Sequence, residues 1–172
     1  MSASTTWLVQ NGTATGTPAH GTESSATSCD WKSVDDNTTS RGNAPINAGD
    51  NSYHKYLYLR FSGSFNQISA VKFAHTSGSL GTGLVLFGKV TSTYATPTTQ
   101  YMDGFQDMSS VIPIASGMDV LLSTTGPNGS SPSSSSTSAC YTQYLVTMIQ
   151  TTQLAAAGDS SSITLTVRYN EN

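Results

Sequence analysis

At 172 residues, the chain has room for one domain with a sizeable core. Charged residues make up only 10% of it and the net charge is −3, with seven basic residues spread singly from Lys32 to Arg168. That excludes the clustered Lys and Arg with which proteins displace counterions from nucleic acid, and no apolar run approaches the roughly 18 residues of a membrane-spanning helix. Serine and threonine form nearly a third of the chain while strong helix formers are scarce, so the composition predicts an all-β protein. No basic region followed by an apolar segment opens the chain, so no secretory leader is expected.

Residues 1–27 are mostly Ser, Thr, Gly and Ala, with the apolar island Trp7, Leu8 and Val9. Such a stretch cannot by itself bury enough surface to offset about 1–2 kcal/mol of backbone entropy per residue. It reads as an extended N-terminal arm ahead of a β-sandwich domain over 28–172. Two readings of the arm stand: a tail whose Trp7 folds back on its own domain, or a strap whose Trp7, Leu8 and Val9 dock on another subunit.

Cys29 to Val34 alternates and is expected to be the first strand proper, with Trp31 pointing to the core. A polar loop follows over 35–43, and Pro45 and Gly49 delay the next strand. Ser52 to His75 is the organising stretch. Tyr53, Leu57, Leu59 and Phe61 share one side, and His54, Tyr56, Tyr58 and Arg60 the other. Gly63 breaks the run, after which Val71 and Phe73 resume the apolar phase. The pattern predicts an antiparallel strand pair with one buried face and a second face carrying Lys72, Arg60 and tyrosine hydroxyls.

Beyond a turn over 76–83, Leu84 to Val90 is apolar on both faces, as a middle strand of a sandwich would be. A long loop over 91–107 leads to Val111, Ile112, Pro113 and Ile114, whose proline suits an edge strand. Met118 to Ser123 makes a short strand, and the serine tract to Ser138 reads as an exposed loop. Tyr141–Thr151 and Ser162–Asn170 form the closing pair, with Leu145, Ile149, Ile163, Leu165 and Val167 core-facing. The segment Gln153–Gly158 holds the one candidate helical turn. Eight or nine short strands with long crossings predict a two-sheet antiparallel sandwich, with jelly-roll connectivity expected ahead of an immunoglobulin-like order.

Searching for chemistry yields no catalytic, metal or cofactor site. His20, His54 and His75 are scattered and show no paired ligand spacing. Asp35, Asp36, Asp103 and Asp107 fit turn capping, and no nucleophile elbow or phosphate loop is complete. Cys29 and Cys140 could bridge or remain two free thiols. Asn11, Asn37 and Asn128 head glycosylation-type triplets that read as polar turns. The eight tyrosines, with Trp31, could line a sugar-binding face or pack on half-buried strands.

Pro45 to Tyr56 (PINAGDNSYHKY), leading into Phe61 to Phe73 (FSGSFNQISAVKF), resembles a pattern in structural proteins of tailed bacteriophages. That pattern carries tryptophan where this chain has Tyr56 and asparagine where it has Ala70. The resemblance implies a non-enzymatic virion protein, similar to capsid cement (decoration) proteins. It implies a place on the outer capsid surface after synthesis in the host cytoplasm, binding to the major capsid protein, and self-association with a trimer favoured over a dimer. A cofactor, a nucleic acid or a membrane has no part in it. A tail or fibre component, or a carbohydrate-binding adhesion module, is the alternative expectation.

Overall fold

A computed structural model describes residues 3–26, 28–123, 133–134, 140–158 and 161–172. In chain order its strands are β1 (Ala3–Thr15), β2 (His20–Ser25), β3 (Lys55–Gly63), β4 (Ile68–Gly78), β5 (Leu84–Thr91) and β6 (Gln106–Asp107). Then follow β7 (Met118–Asp119), β8 (Leu122–Ser123), β9 (Ser133–Ser134), β10 (Cys140–Thr142), β11 (Tyr144–Thr151) and β12 (Ile163–Glu171). They form two antiparallel sheets. The larger has the order β2-β1-β3-β11-β5-β6, with β10 also on β3 and β8 on β10. The smaller has the order β12-β4-β7, with β9 also on β4. The protein is thus an all-β sandwich, as its composition predicts; this strand order does not establish jelly-roll connectivity.

The organising stretch forms two strands, but they do not pair with each other. β3 lies at the centre of the larger sheet between β1 and β11, while β4 lies in the smaller sheet beside β12. With both edges of β3 occupied, the chain after Gly63, which takes φ +100°, crosses to the opposite sheet. Phe65 in the crossing is buried between them. The second face of β3 is not a polar surface either. Tyr56 and Tyr58 are fully buried there, as Phe61 is on the first face, where Leu57 and Leu59 are also buried.

The core between the sheets contains Leu57, Leu59, Phe61, Val71, Phe73, Leu145 and Ile149, with Trp31, Ile163, Leu165 and Val167 half-buried against it. A second cluster, Leu8, Tyr56, Tyr58, Tyr94, Phe105, Tyr144, Val146 and Met148, covers the opposite face of the larger sheet. The segment 94–105 supplies Tyr94 and Phe105 to that cover, so the long loop is in large part a lid of the second core.

The N-terminal arm is corrected most. Residues 3–25 are a hairpin built into the larger sheet, with β1 paired to β3 from Ala3 opposite Gly63 to Gln10 opposite Tyr56. Alternation explains it: Leu8 points into the tyrosine cluster and Val9 into the inter-sheet core, so the island feeds both faces of one strand. Asn11, read as a turn residue, lies within β1.

Other expectations also shift. Residues 29–34 are irregular, because buried Lys32 directs the chain by donating to Asp36 and to the Thr39 carbonyl. Residues 111–113 make no strand and lead into a 3-10 turn over Ile114–Ser116. Met118–Ser123 divides between sheets, β7 on β4 and β8 on β10. β5 has a full-length neighbour in β11 but meets two-residue β6 on its other side, so it lies close to an edge. Gln153–Gly158 is a non-helical turn that exposes Leu154. The serine tract lies outside the described residues except for Ser133–Ser134, which pair with β4.

Candidate interaction surface

Trp7, Leu8 and Val9 are in use within the domain. Leu8 and Val9 are 3% and 4% exposed, and Trp7 packs half-buried against the inter-sheet core. None of them is free to strap a neighbour, and the strand they occupy already pairs on both sides with β2 and β3.

One position on from Val9, the buried Gln10 side chain ties the hairpin to the tyrosines. Its Oε1 accepts from the Tyr144 hydroxyl at 2.9 Å and from the Gly21 amide at 3.1 Å, and its Nε2 donates to the Tyr58 hydroxyl at 3.4 Å. Tyr58 also donates to Glu23 on β2, and Tyr94 donates to the Gly12 carbonyl at 2.6 Å. Burial pushes the hydroxyls of Tyr58, Tyr94 and Tyr144 above the usual phenol range. The rings stack tilted or edge-on, Tyr56 lying 4.8 Å from Tyr94 and 5.6 Å from Tyr144. Four tyrosines of the imagined sugar-binding face are therefore internal packing.

A pocket of about 100 Å³ opens beside β1 and β3, bordered by Val9, Cys29, Lys32, Asp36, Lys55 and Leu57 among others. Lys32 meets Asp36 at 2.9 Å, and Lys55 donates to the Asp36 carbonyl at 3.2 Å. The Thr39 hydroxyl and the Lys32 ammonium hold the Asp36 carboxylate well below the usual range. Burial lowers Lys55 and pushes the Cys29 thiol up to about 11, which makes that thiol a poor nucleophile. These contacts turn the 28–39 segment down onto the sheet, and Trp31 Nε1 donating to Thr147 Oγ1 at 3.1 Å completes the seal.

The remaining candidates have structural partners. Both cysteines are free thiols. His54 donates from Nε2 to the Gln100 carbonyl at 2.7 Å and accepts the Thr98 amide at Nδ1, which anchors the lid segment. The His75 ring lies between the Met108 and Ser77 carbonyls. His20 is exposed in the hairpin, with its Nδ1 3.2 Å from the Pro18 carbonyl. Asp36 caps Thr38 and Thr39, Asp107 caps Ser109, and Asp35 accepts from Asn11 and Gly12 across the hairpin. Among the described residues, no three His, Cys, Asp or Glu side chains come together as a metal would need.

What the described surface does present is edge and patch. β12 has β4 on one side and no other strand neighbour among the described residues. Tyr101, Val111, Ile112 and Leu154 are the exposed large apolar side chains. Gln10 and Lys55 are buried polar hubs that sequence reasoning missed; a polar residue beside Leu8 and Val9, facing a tyrosine-rich strand, is the available signal. Compared with family models, curated proteins and solved structures, the chain matches none.

Proposed function

We propose that this chain is a non-enzymatic structural protein of a tailed-bacteriophage virion. It sits on the outer capsid surface as a cement protein and stabilises joints between major capsid subunits. The supporting observation is the use to which the fold puts the phage-like segment 45–73. Asn47 and Asp50 carbonyls accept from Thr151 Oγ1 at 2.7 and 2.9 Å, and the Ile149 amide donates to Ser52 Oγ at 3.0 Å. The segment thereby clamps the entry to β3 onto β11. Further along, Ala70 takes φ +50°, in the left-handed region that asparagine tolerates far better than alanine. This chain departs from the phage pattern at that position, but the pattern's asparagine is the residue that this backbone would suit.

The motif residues thereby join the start of β3 to β11 within the larger sheet. Holding capsid subunits together needs apolar area and hydrogen-bonding edge buried across a joint. Roughly 1,200–2,000 Å² is usual for one stable interface, and repetition over a shell multiplies modest contacts. Sedimentation of purified protein with undecorated phage heads tests the reading. Saturable binding at a fixed number of copies per head, with heads made more resistant to heat, is expected. Protein that stays in the supernatant, or that sediments with tails instead, overturns it.

A further inference from the structure

We infer that β12 is a two-fold self-pairing edge, through which a second copy of this chain extends the smaller sheet across an antiparallel β12–β12 seam. This goes beyond the capsid reading and does not depend on it. It also replaces the three-fold association implied by the resemblance with a two-fold one.

The backbone fixes which groups of β12 are free. The Ile112 amide donates to the His75 carbonyl, and the Val120 amide to the Val71 carbonyl, so these odd-numbered residues of β4 face away from β12. Lys72 and Ala74 therefore face β12, opposite Arg168 and Thr166. On β12, the N–H and C=O groups of Leu165 and Val167 consequently point outward, since successive residues alternate sides. Among the described residues, no backbone hydrogen bond reaches that outer edge.

The strand also lacks proline and lysine, two residues that blunt an edge, and its one basic residue, Arg168, is exposed on the outer face. Both register shifts between β12 and β4 fall on β4, where Ser77 to His75 spans two residues against Thr164 to Leu165, and Lys72 to Ser69 spans three against Arg168 to Asn170. β12 itself runs straight. Its acidic residue, Glu171, is tied down by accepting the Ala3 amide at 2.9 Å.

The occupant is a second copy because the strand is complementary to itself in one register. With Thr166 opposite its own counterpart, outward-facing Leu165 meets Val167 and Ile163 meets Tyr169, each able to exchange a reciprocal pair of bonds. Those four side chains are half-buried at the open side of the core and would continue as one apolar row across the seam. On the outer face, Arg168 lies opposite Thr164, so the two arginines are kept apart. Shifting the register to bring Arg168 opposite itself would oppose like charges, which is destabilising. A strand-length contact is smaller than a standard interface, so the dimer is reversible, with dissociation on the order of 1–100 µM.

Sedimentation equilibrium of the full chain, with T166K, T166D and their equimolar mixture, tests this. The Thr166 side chain lies on the outer face against Thr76 Oγ1, and unfolding midpoints check that each variant remains folded. Wild type is expected to dimerise, each variant alone to dissociate about tenfold more readily or worse, and the mixture to return to near the wild-type constant. Amide exchange in wild type supplies a readout free of substitutions: Leu165 and Val167 gain protection as concentration rises. Wild type that stays monomeric at about 1 mM, variants that dimerise as wild type does, or amides whose exchange ignores concentration would each overturn the proposal. Head binding is scored separately, so loss of one result leaves the other standing.

Discussion

Tyr144 on β11 donates its hydroxyl to Gln10 Oε1 on β1 at 2.9 Å, across the intervening strand β3. That single bond, buried in a tyrosine cluster, joins the first strand of the chain to one of the last. Replacing Gln10 by leucine removes the acceptor and strands the Tyr144 hydroxyl and the Gly21 amide. Each buried polar group left without a partner costs about 1–3 kcal/mol. Denaturant unfolding of Q10L is expected to show a loss of roughly 2–3 kcal/mol; an unchanged midpoint would show that the network is dispensable.

Removing residues 1–27 takes out β1 and β2 and opens the whole edge of β3. It also removes Leu8 and Val9, each contributing about 1.5–3 kcal/mol by burial, and uncovers Tyr56 and Tyr58. Against a net stability of about 5–15 kcal/mol, the expected product is insoluble or lacks a cooperative thermal transition. A truncated protein with a dispersed amide spectrum and a sharp transition would contradict this account of the hairpin.

Ala70 sits exposed at φ +50° where β4 bulges. A left-handed backbone costs an ordinary L-residue about 1–2 kcal/mol, and asparagine recovers part of it by local hydrogen bonding. A70N is expected to stabilise the protein by about 0.5–1 kcal/mol, read as a rise in unfolding midpoint. Destabilisation by A70N would mean that the bulge is held by something other than this backbone preference.

His54 is held below its ordinary value of 6.5, first because burial penalises the charged ring. A folded state that resists protonation is at full strength above pH 6.5 and loses stability as pH falls from there through the lowered folded value. The ring anchors the 98–100 segment through Thr98 and Gln100, so the lid of the tyrosine cluster is expected to loosen first. Chemical-shift titration checks the sign: His54 should take up its proton below its ordinary value of 6.5, and a higher midpoint would contradict it.

Much of the architecture was readable because burial and period coincide. Leu57, Leu59 and Phe61 alternate on β3, and Val71 and Phe73 on β4, all in the inter-sheet core. What alternation could not say is which strands pair: proximity in sequence suggested β3 with β4, yet β1 and β11 compete successfully for the edges of β3. The second core escaped notice for a related reason. Tyrosine is ambiguous between surface and interior, and the covering residues Tyr94 and Phe105 lie in a loop without periodicity. Trp7, Leu8 and Val9 were visible as an apolar island, but a polar flanking composition hid the strand that carries them. At 29–34 the alternation was present without the ladder, because the buried Lys32 ammonium draws the chain toward Asp36 and Thr39.

Imaging undecorated phage heads by electron microscopy after incubation with the purified protein tests the central claim most directly. A capsid-stabilising protein of this kind should appear as ordered density over the junctions between major capsid subunits, at one repeating position on the shell. Bare heads at saturating protein, or density confined to tails, would contradict it.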